Sequence, residues 1–233
     1  MLRVFLPVTC LACNRAFDRQ KHASVVSRYL CPNCLRMFEQ QTAQSADGNE
    51  KLYRFKNIRA PHSLHAAFEF RQDSIIQQLI HNAKYHSMMK LASLLGEITA
   101  VSAADSLKDI DHIIPIPLHR TRYSERGYNQ SEKIAGGISK SLGSAPVLPK
   151  ALQRVKPTPT QTGLTEDERE ENMKGAFALR ANAHSLVKGK TVLLVDDVMT
   201  TGATLASAAY ELDKAEPKKI IIVAVAVATD SPG

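Results

Sequence analysis

The chain has 233 residues, 44% of them hydrophobic and 23% charged, with no tryptophan and only 6% aromatic residues. This supports a globular core of mainly aliphatic side chains and argues against a disordered or fibrous chain. The formal net charge of +7 favours polyanionic partners such as phosphates or nucleic acid, and no apolar run approaches the roughly 18 residues needed to span a bilayer.

The opening MLRVFLPVTCLAC is apolar but interrupted by Pro7 and Thr9. It does not read as a secretory leader, so a cytoplasmic chain with reduced thiols and no membrane partner is expected. All four cysteines come at once: Cys10-Leu-Ala-Cys13 and Cys31-Pro-Asn-Cys34, a C-x2-C-x17-C-x2-C pattern. A two-residue spacer lets both thiolates of a knuckle face one metal, and the interval suits two knuckles sharing a zinc ion. The competing reading is two redox CxxC pairs, but a thioredoxin-like CxxC opens one helix after a strand and does not come twice. Four protein ligands close a tetrahedron, so the Zn2+ is expected to be structural. His22 is then surplus. Four thiolates remove four charges and the ion restores two, leaving the chain at about +5.

Glu39 to Glu50 is polar and reads as a linker. The expected organisation is a module and linker over 1–50 and a second domain over 51–233. In that domain His65 to Phe70 alternates as a strand, and 73–82 sets Ile76, Leu79 and Ile80 at helical spacing. A second helix is expected over 88–104, a buried strand over 112–118 and a helix over about 129–142. VLLVDD forms a strand, Thr204 to Lys214 a helix, and 219–228 a long apolar strand. Such Val/Ile runs alternating with helices indicate an α/β fold with a parallel sheet buried on both faces. Ligands bind such sheets beyond the carboxyl ends of the strands.

The chemistry concentrates in VLLVDDVMTTGATL, residues 192–205. Asp196 and Asp197 are expected where the strand ends, and Met199 to Thr204 as a turn opening a helix. Free N–H groups at a helix start favour an anion, and the threonines add hydroxyl donors. Adjacent carboxylates repel a bare phosphate, so they should hold another part of the same ligand: sugar hydroxyls or Mg2+. The residues thus point to a sugar phosphate. A Walker A loop fails, because His184 stands where its first glycine belongs. A dinucleotide fingerprint fails for want of glycines. A receiver domain fails because only 36 residues come after Asp197.

Residues 114–131, IPIPLHRTRYSERGYNQS, bring Arg120, Arg122 and Arg126 into the loop after a strand. Alone they read as a solvated basic face; beside a pyrophosphate they are its complement. Asn129 reads as a helix cap. Residues 152–177, LQRVKPTPTQTGLTEDEREENMKGAF, read as an exposed loop that could close over a ligand, with a short helix capped by Thr165 and Glu168.

The 192–205 stretch resembles the phosphoribosyl pyrophosphate (PRPP) motif of type I phosphoribosyltransferases. That resemblance implies that Asp196 and Asp197 take the ribose hydroxyls. Thr200, Thr201, Gly202, Ala203 and Thr204 then cradle the 5′-phosphate. With the four-cysteine knuckles, Lys84-Tyr85, PIPLHRTRYSERGYNQ and the TQTGLTEDEREENMKGAF loop, nearly the whole chain resembles the ComF (competence protein F) family. Met199 is a minor departure from its pattern. The resemblance adds Lys84, Arg120, Arg122 and Arg126 to the PRPP-binding set, and Mg2+ as PRPP's companion. It implies a role in natural transformation, handling incoming single-stranded DNA, with a helicase-like or recombination protein as partner. Two other readings stay open: an active phosphoribosyltransferase acting on a small base, and a PRPP-sensing regulator without catalysis.

Overall fold

The computed structural model describes residues 8–17, 25–42, 49–60, 62–85, 88–143, 145–156, 173 and 175–228. His22, Thr165, Glu168 and most of the expected closing loop lie outside the described residues.

The N-terminal segment is small. Strands β1 (Val8–Thr9) and β2 (Ala16–Phe17) pair antiparallel, and helix α1 runs over Pro32–Thr42. A 3-10 turn over Asn49–Phe55 leads to the main sheet. Its strands are β3 (His62–Phe70), β4 (His112–Pro115), β7 (Thr191–Met199) and β8 (Lys219–Ala228). They lie in the order β3-β8-β7-β4, all parallel. Between them come α2 (Ile75–Asn82), α3 (Met89–Ser102), α4 (Arg120–Arg126) and α5 (Gln130–Ser141). The remaining elements are a hairpin of β5 (Leu152–Arg154) and β6 (Phe177–Leu179), the short helix α6 (His184–Val187) and α7 (Ala203–Asp213).

Both faces of the sheet are covered, as the unbroken aliphatic runs require. Along β7, Leu193 and Val195 face a core shared with α2, α3 and α5, while Val192 and Leu194 face a second core shared with α7. Each fully buried Ile or Leu contributes about 1.5–3 kcal/mol. The first core also takes in Cys10, Leu30 and Phe38. The rings of Phe38 and Phe68 stand 5.3 Å apart, so the four-cysteine segment is packed onto the sheet.

Helices α3 and α5 meet backbone to backbone. A Cβ on Gly96 would fall 2.0 Å from the Ile134 carbonyl oxygen, and one on Gly137 would fall 1.9 Å from that of Ser93. Only glycine permits such an approach. Nothing in the hydrophobic periodicity pairs these two positions.

Three expectations need correction. The strand expected over 112–118 ends at Pro115: Ile116 N–H still donates to Val195 O, and pairing then stops at prolines that bring no N–H. Arg120, Arg122 and Arg126 lie on helix α4 rather than in a loop, its N-terminus capped by His119. Strand β7 runs on to Met199, because β8 continues to pair with it as far as Val227. The acidic pair therefore lies inside a strand, and the turn shortens to Thr200–Gly202. Smaller shifts of one to three residues affect the ends of β3, α2, α3 and α7.

Candidate functional site: an acidic pair and the turn that comes after it

The carboxyl ends of β4 and β7 are neighbours, so the segments leaving these two strands meet across one crevice. From β7 come Asp196, only 9% exposed, and the half-buried Asp197. From the start of α5 come their partners. Ser131 Oγ donates to Asp196 Oδ1 at 2.9 Å, and Gln130 Nε2 donates to Asp197 Oδ2 at 3.0 Å. Asn129 caps α5 as expected, accepting from Ser131 N, and its amide also donates to the Ile116 carbonyl.

Burial first, then the neighbouring charge of Asp197, pushes the Asp196 carboxyl up to about 8. The bonds from Ser131 and the Asp197 backbone oppose this, as does the charge of Arg154. Two carboxyls in one crevice, one of them holding a proton at neutral pH, form a site that gains from a hydroxyl-rich or cationic ligand.

Cationic groups ring the pair. Lys84 Nζ is 4.0 Å from Asp197 Oδ2. Its turn is held by buried Tyr128, whose hydroxyl lies against the carbonyls of Ala83 and Tyr85. Arg126 Nη1 donates to Gln130 Oε1 at 2.9 Å, so it reaches Asp197 through one amide. Arg122 is close enough to Arg154 for the two charges to repel, and burial first, then this repulsion, lowers the Arg154 guanidinium. Arg120 is exposed at the start of α4, and among the described residues no hydrogen bond or ion pair joins its side chain to the acidic pair.

The turn Thr200–Gly202 ends in Gly202 at φ 84°, a left-handed conformation that favours glycine. Gly202 brings no side-chain cap to α7; Ala203 N donates to Thr201 Oγ1 at 3.5 Å, and among the described residues no side chain accepts from the next N–H groups, those of Thr204 and Leu205. Residues 198–205 line a small hollow at this point. Thr200 is exposed, Thr204 is half-buried, and buried Thr201 folds back toward Ala203 N. Lys51 Nζ donates to Thr200 O at 2.7 Å, although Lys51 itself is buried.

Gln130, Ser131, Arg154 and Lys51 are site residues that the sequence reading does not single out. The first two stand inside the RGYNQS block, where a helix start just after a strand is a usable signal. Lys51 and Arg154 are lone basic residues in unremarkable surroundings, and only the fold brings them to the site.

The second constellation is the cysteine quartet. All four sulfurs lie within 4.8 Å of one another, and Cys13 Sγ is 3.8 Å from Cys31 Sγ. Metal–sulfur bonds of about 2.3 Å place tetrahedral sulfurs about 3.8 Å apart. At Cys10 burial opposes ionisation, but backbone N–H groups of Cys31, Cys13 and Ala12 prevail and lower the thiol to about 7. At Cys34 burial, then bonds to the other cysteines, pushes the thiol up. Four thiols this close cannot all ionise without a shared cation, so the donor set fits a metal ion.

Residues 123–232 match the phosphoribosyl transferase domain family. Competence protein F of Haemophilus influenzae is 36% identical over 132 residues, covering 54% of this chain and 57% of that protein. The DNA utilization protein YhgH of Escherichia coli K12 is 33% identical over 142 residues, covering 59% and 60%. The matched stretch thus spans less than two thirds of either relative. Among solved structures, glutamine phosphoribosylpyrophosphate amidotransferase from B. subtilis aligns with 63% of this chain and 30% of its own, at 17% identity and a TM-score of 0.42, a loose likeness. With its phosphoribosyl transferase domain match and its four clustered cysteines, the chain is similar to competence protein F and YhgH, at an identity of about a third over the matched stretch.

Proposed function

We propose that the chain is a PRPP-binding competence factor that handles incoming single-stranded DNA. The observation that carries the PRPP part is the acidic pair beside the turn: two carboxyls near the end of β7, separated from the start of α7 by Val198, Met199 and the turn Thr200–Gly202. In this reading Asp196 and Asp197 accept hydrogen bonds from the ribose hydroxyls. The turn Thr200, Thr201 and Gly202, with Ala203 and Thr204 at the start of α7, donates N–H and hydroxyl groups to the 5′-phosphate. Lys84, Arg122 and Arg126, with Arg120 at the rim, answer the pyrophosphate charge. Mg2+ would accompany the pyrophosphate and spread its charge. Gln130 and Ser131 hold the carboxyls in place, and Lys51 fixes the turn.

Residues 1–50 are proposed as a zinc module and linker, and 51–233 as the PRPP-binding domain. The spacing and the four sulfurs within 4.8 Å of one another support zinc. The competence role rests on the names of the relatives, and the net positive charge suits a DNA partner. No described helix is long and apolar enough to cross a membrane. A helicase-like or recombination protein is the proposed partner and a cytoplasmic setting is proposed with it.

Two titrations test the reading. Calorimetry with PRPP and Mg2+ should show one site per chain, displaced by ribose 5-phosphate only at higher concentration. Fluorescence anisotropy with single-stranded DNA should show binding that weakens steeply as salt rises. Absence of heat with PRPP removes the ligand; salt-insensitive or absent DNA binding removes the strand.

A further inference from the structure

Along α7 there is a groove of about 530 Å³, a size that suits a small organic unit. Its floor is small and apolar, made by Ala203 and Ala206, with Ile58 beside them. Its walls carry Tyr210, half exposed, and Arg54. Asn57 presents an exposed amide at the edge. Two cation–aromatic pairs flank it. The Arg54 guanidinium lies 4.7 Å from the Tyr53 ring centroid, and Lys214 Nζ lies 5.0 Å from that of Tyr210. Tyr53 is more than half exposed. Among the described lining residues the one acid, Glu211, is paired with Lys214 at 2.6 Å.

Exposed rings beside cations, over an apolar floor, match what unpaired nucleic acid requires. Bases stack on aromatic faces and the backbone tracks the positive charge. An amide at the edge can meet a base's hydrogen-bonding groups. From Ala203 the groove runs over successive turns of α7 to Tyr210, away from the strand that carries the acidic pair. A strand of nucleic acid lying there would leave Asp196 and Asp197 open to their own ligand.

We infer that this groove is where single-stranded DNA binds, one base stacking against Tyr210 with Asn57 at its edge, and the backbone passing Arg54 and Lys214. The inference rests on the strand-handling reading above. It goes beyond that reading by assigning the strand a surface along α7 that adjoins the PRPP turn at Ala203 and extends from it to Tyr210.

The test uses the full chain and a fluorescent oligothymidylate, monitored by anisotropy, with PRPP binding measured in parallel. Tyr210→Ala is expected to weaken the oligonucleotide about five- to a hundredfold, the range of a lost stacked base, and to leave PRPP affinity unchanged. Tyr53→Ala should act in the same direction. Tyr210→Phe, which keeps the ring, should restore binding. If the wild type binds the oligonucleotide and Tyr210→Ala binds it equally well, the groove is not the strand's site. If thymidine monophosphate competes as strongly as the oligonucleotide, the groove takes a free nucleotide and the strand assignment falls. If the wild type binds no oligonucleotide while still binding PRPP, the strand-handling reading fails and this inference with it.

Discussion

Two places in this chain crowd groups that repel one another once ionised, and they differ in how the crowding is relieved. In the N-terminal segment four thiols lie within 4.8 Å. They come from the turn after β1 and from the start of α1, and together they offer four donors, enough to fill a tetrahedral site. At the end of β7 two carboxyls stand side by side, and one face of the pair opens to the crevice. In the proposed reading the first arrangement would use a metal ion to hold a fold, and the second would leave room for a ligand that comes and goes. Closure by four protein donors would turn the electrostatic strain into stability, whereas an open pair would keep it for binding.

Breaking the closed site should have the largest effect. Structural zinc contributes on the order of 10 kcal/mol in small modules. Removing the metal with a chelator, or Cys10→Ser, should strip protection from residues 8–42 in hydrogen exchange. Metal analysis of the untreated protein should find about one zinc ion per chain. Because Phe38 packs on Phe68, the sheet should also lose stability, seen as a lower melting temperature.

Breaking the open site should leave the fold intact and empty the crevice. Asp196→Asn with Asp197→Asn keeps the side-chain volumes but removes both carboxyl groups. Calorimetry should show PRPP affinity reduced at least about a hundredfold, some 3 kcal/mol.

The scaffold between the two sites gives the next effect. Gly137 lets α5 seat against α3, and the start of α5 delivers Gln130 and Ser131 to the acids. Gly137→Val should force the helices apart and cost about 2–4 kcal/mol in urea unfolding. PRPP affinity should fall with it.

The smallest expected effect is the most informative about charge. Ser131→Ala removes one bond to the Asp196 carboxylate, worth about 1–2 kcal/mol. That bond favours the ionised form, so its loss pushes the carboxyl higher still. The ionised form is the better acceptor for ribose hydroxyls. PRPP affinity of the wild type should therefore rise with pH until about 8, and in Ser131→Ala the rise should shift to higher pH. An affinity–pH profile measures both.

The two sites also differ in how much of them is legible in the residues. The cysteine spacing and the aliphatic run into Asp196-Asp197 are local patterns, each contained within a few turns of chain. They suffice to expect a zinc-type knuckle and a sugar-phosphate site. The supports are not local. Lys51 reaches Thr200 across 149 positions, and Tyr128 braces the Lys84 turn across more than 40. The close approach of Gly96 to Ile134 and of Gly137 to Ser93 depends on two helices meeting, and an isolated glycine in a helical pattern does not announce its partner. The extent of β7 is hidden for a related reason: two acids look like a strand end, but pairing with β8 holds them in the ladder. The arginines look like loop residues because a proline pair masks the short helix that comes after it.

The open site also bears on stability, and the sign is definite. An Asp whose carboxyl is raised on folding keeps its proton where the unfolded chain has already lost its own. The penalty is absent below the ordinary carboxylate range, grows as pH rises through it, and is complete above about 8. At neutral pH the folded protein already bears most of it. The most direct measurement is thermal melting of the wild type and the Asp196→Asn, Asp197→Asn variant at neutral pH, each with and without PRPP and Mg2+. The account predicts that the variant alone melts above the wild type, and that only the wild type moves upward with ligand. A variant that melts no higher and gains as much from PRPP as the wild type would contradict it.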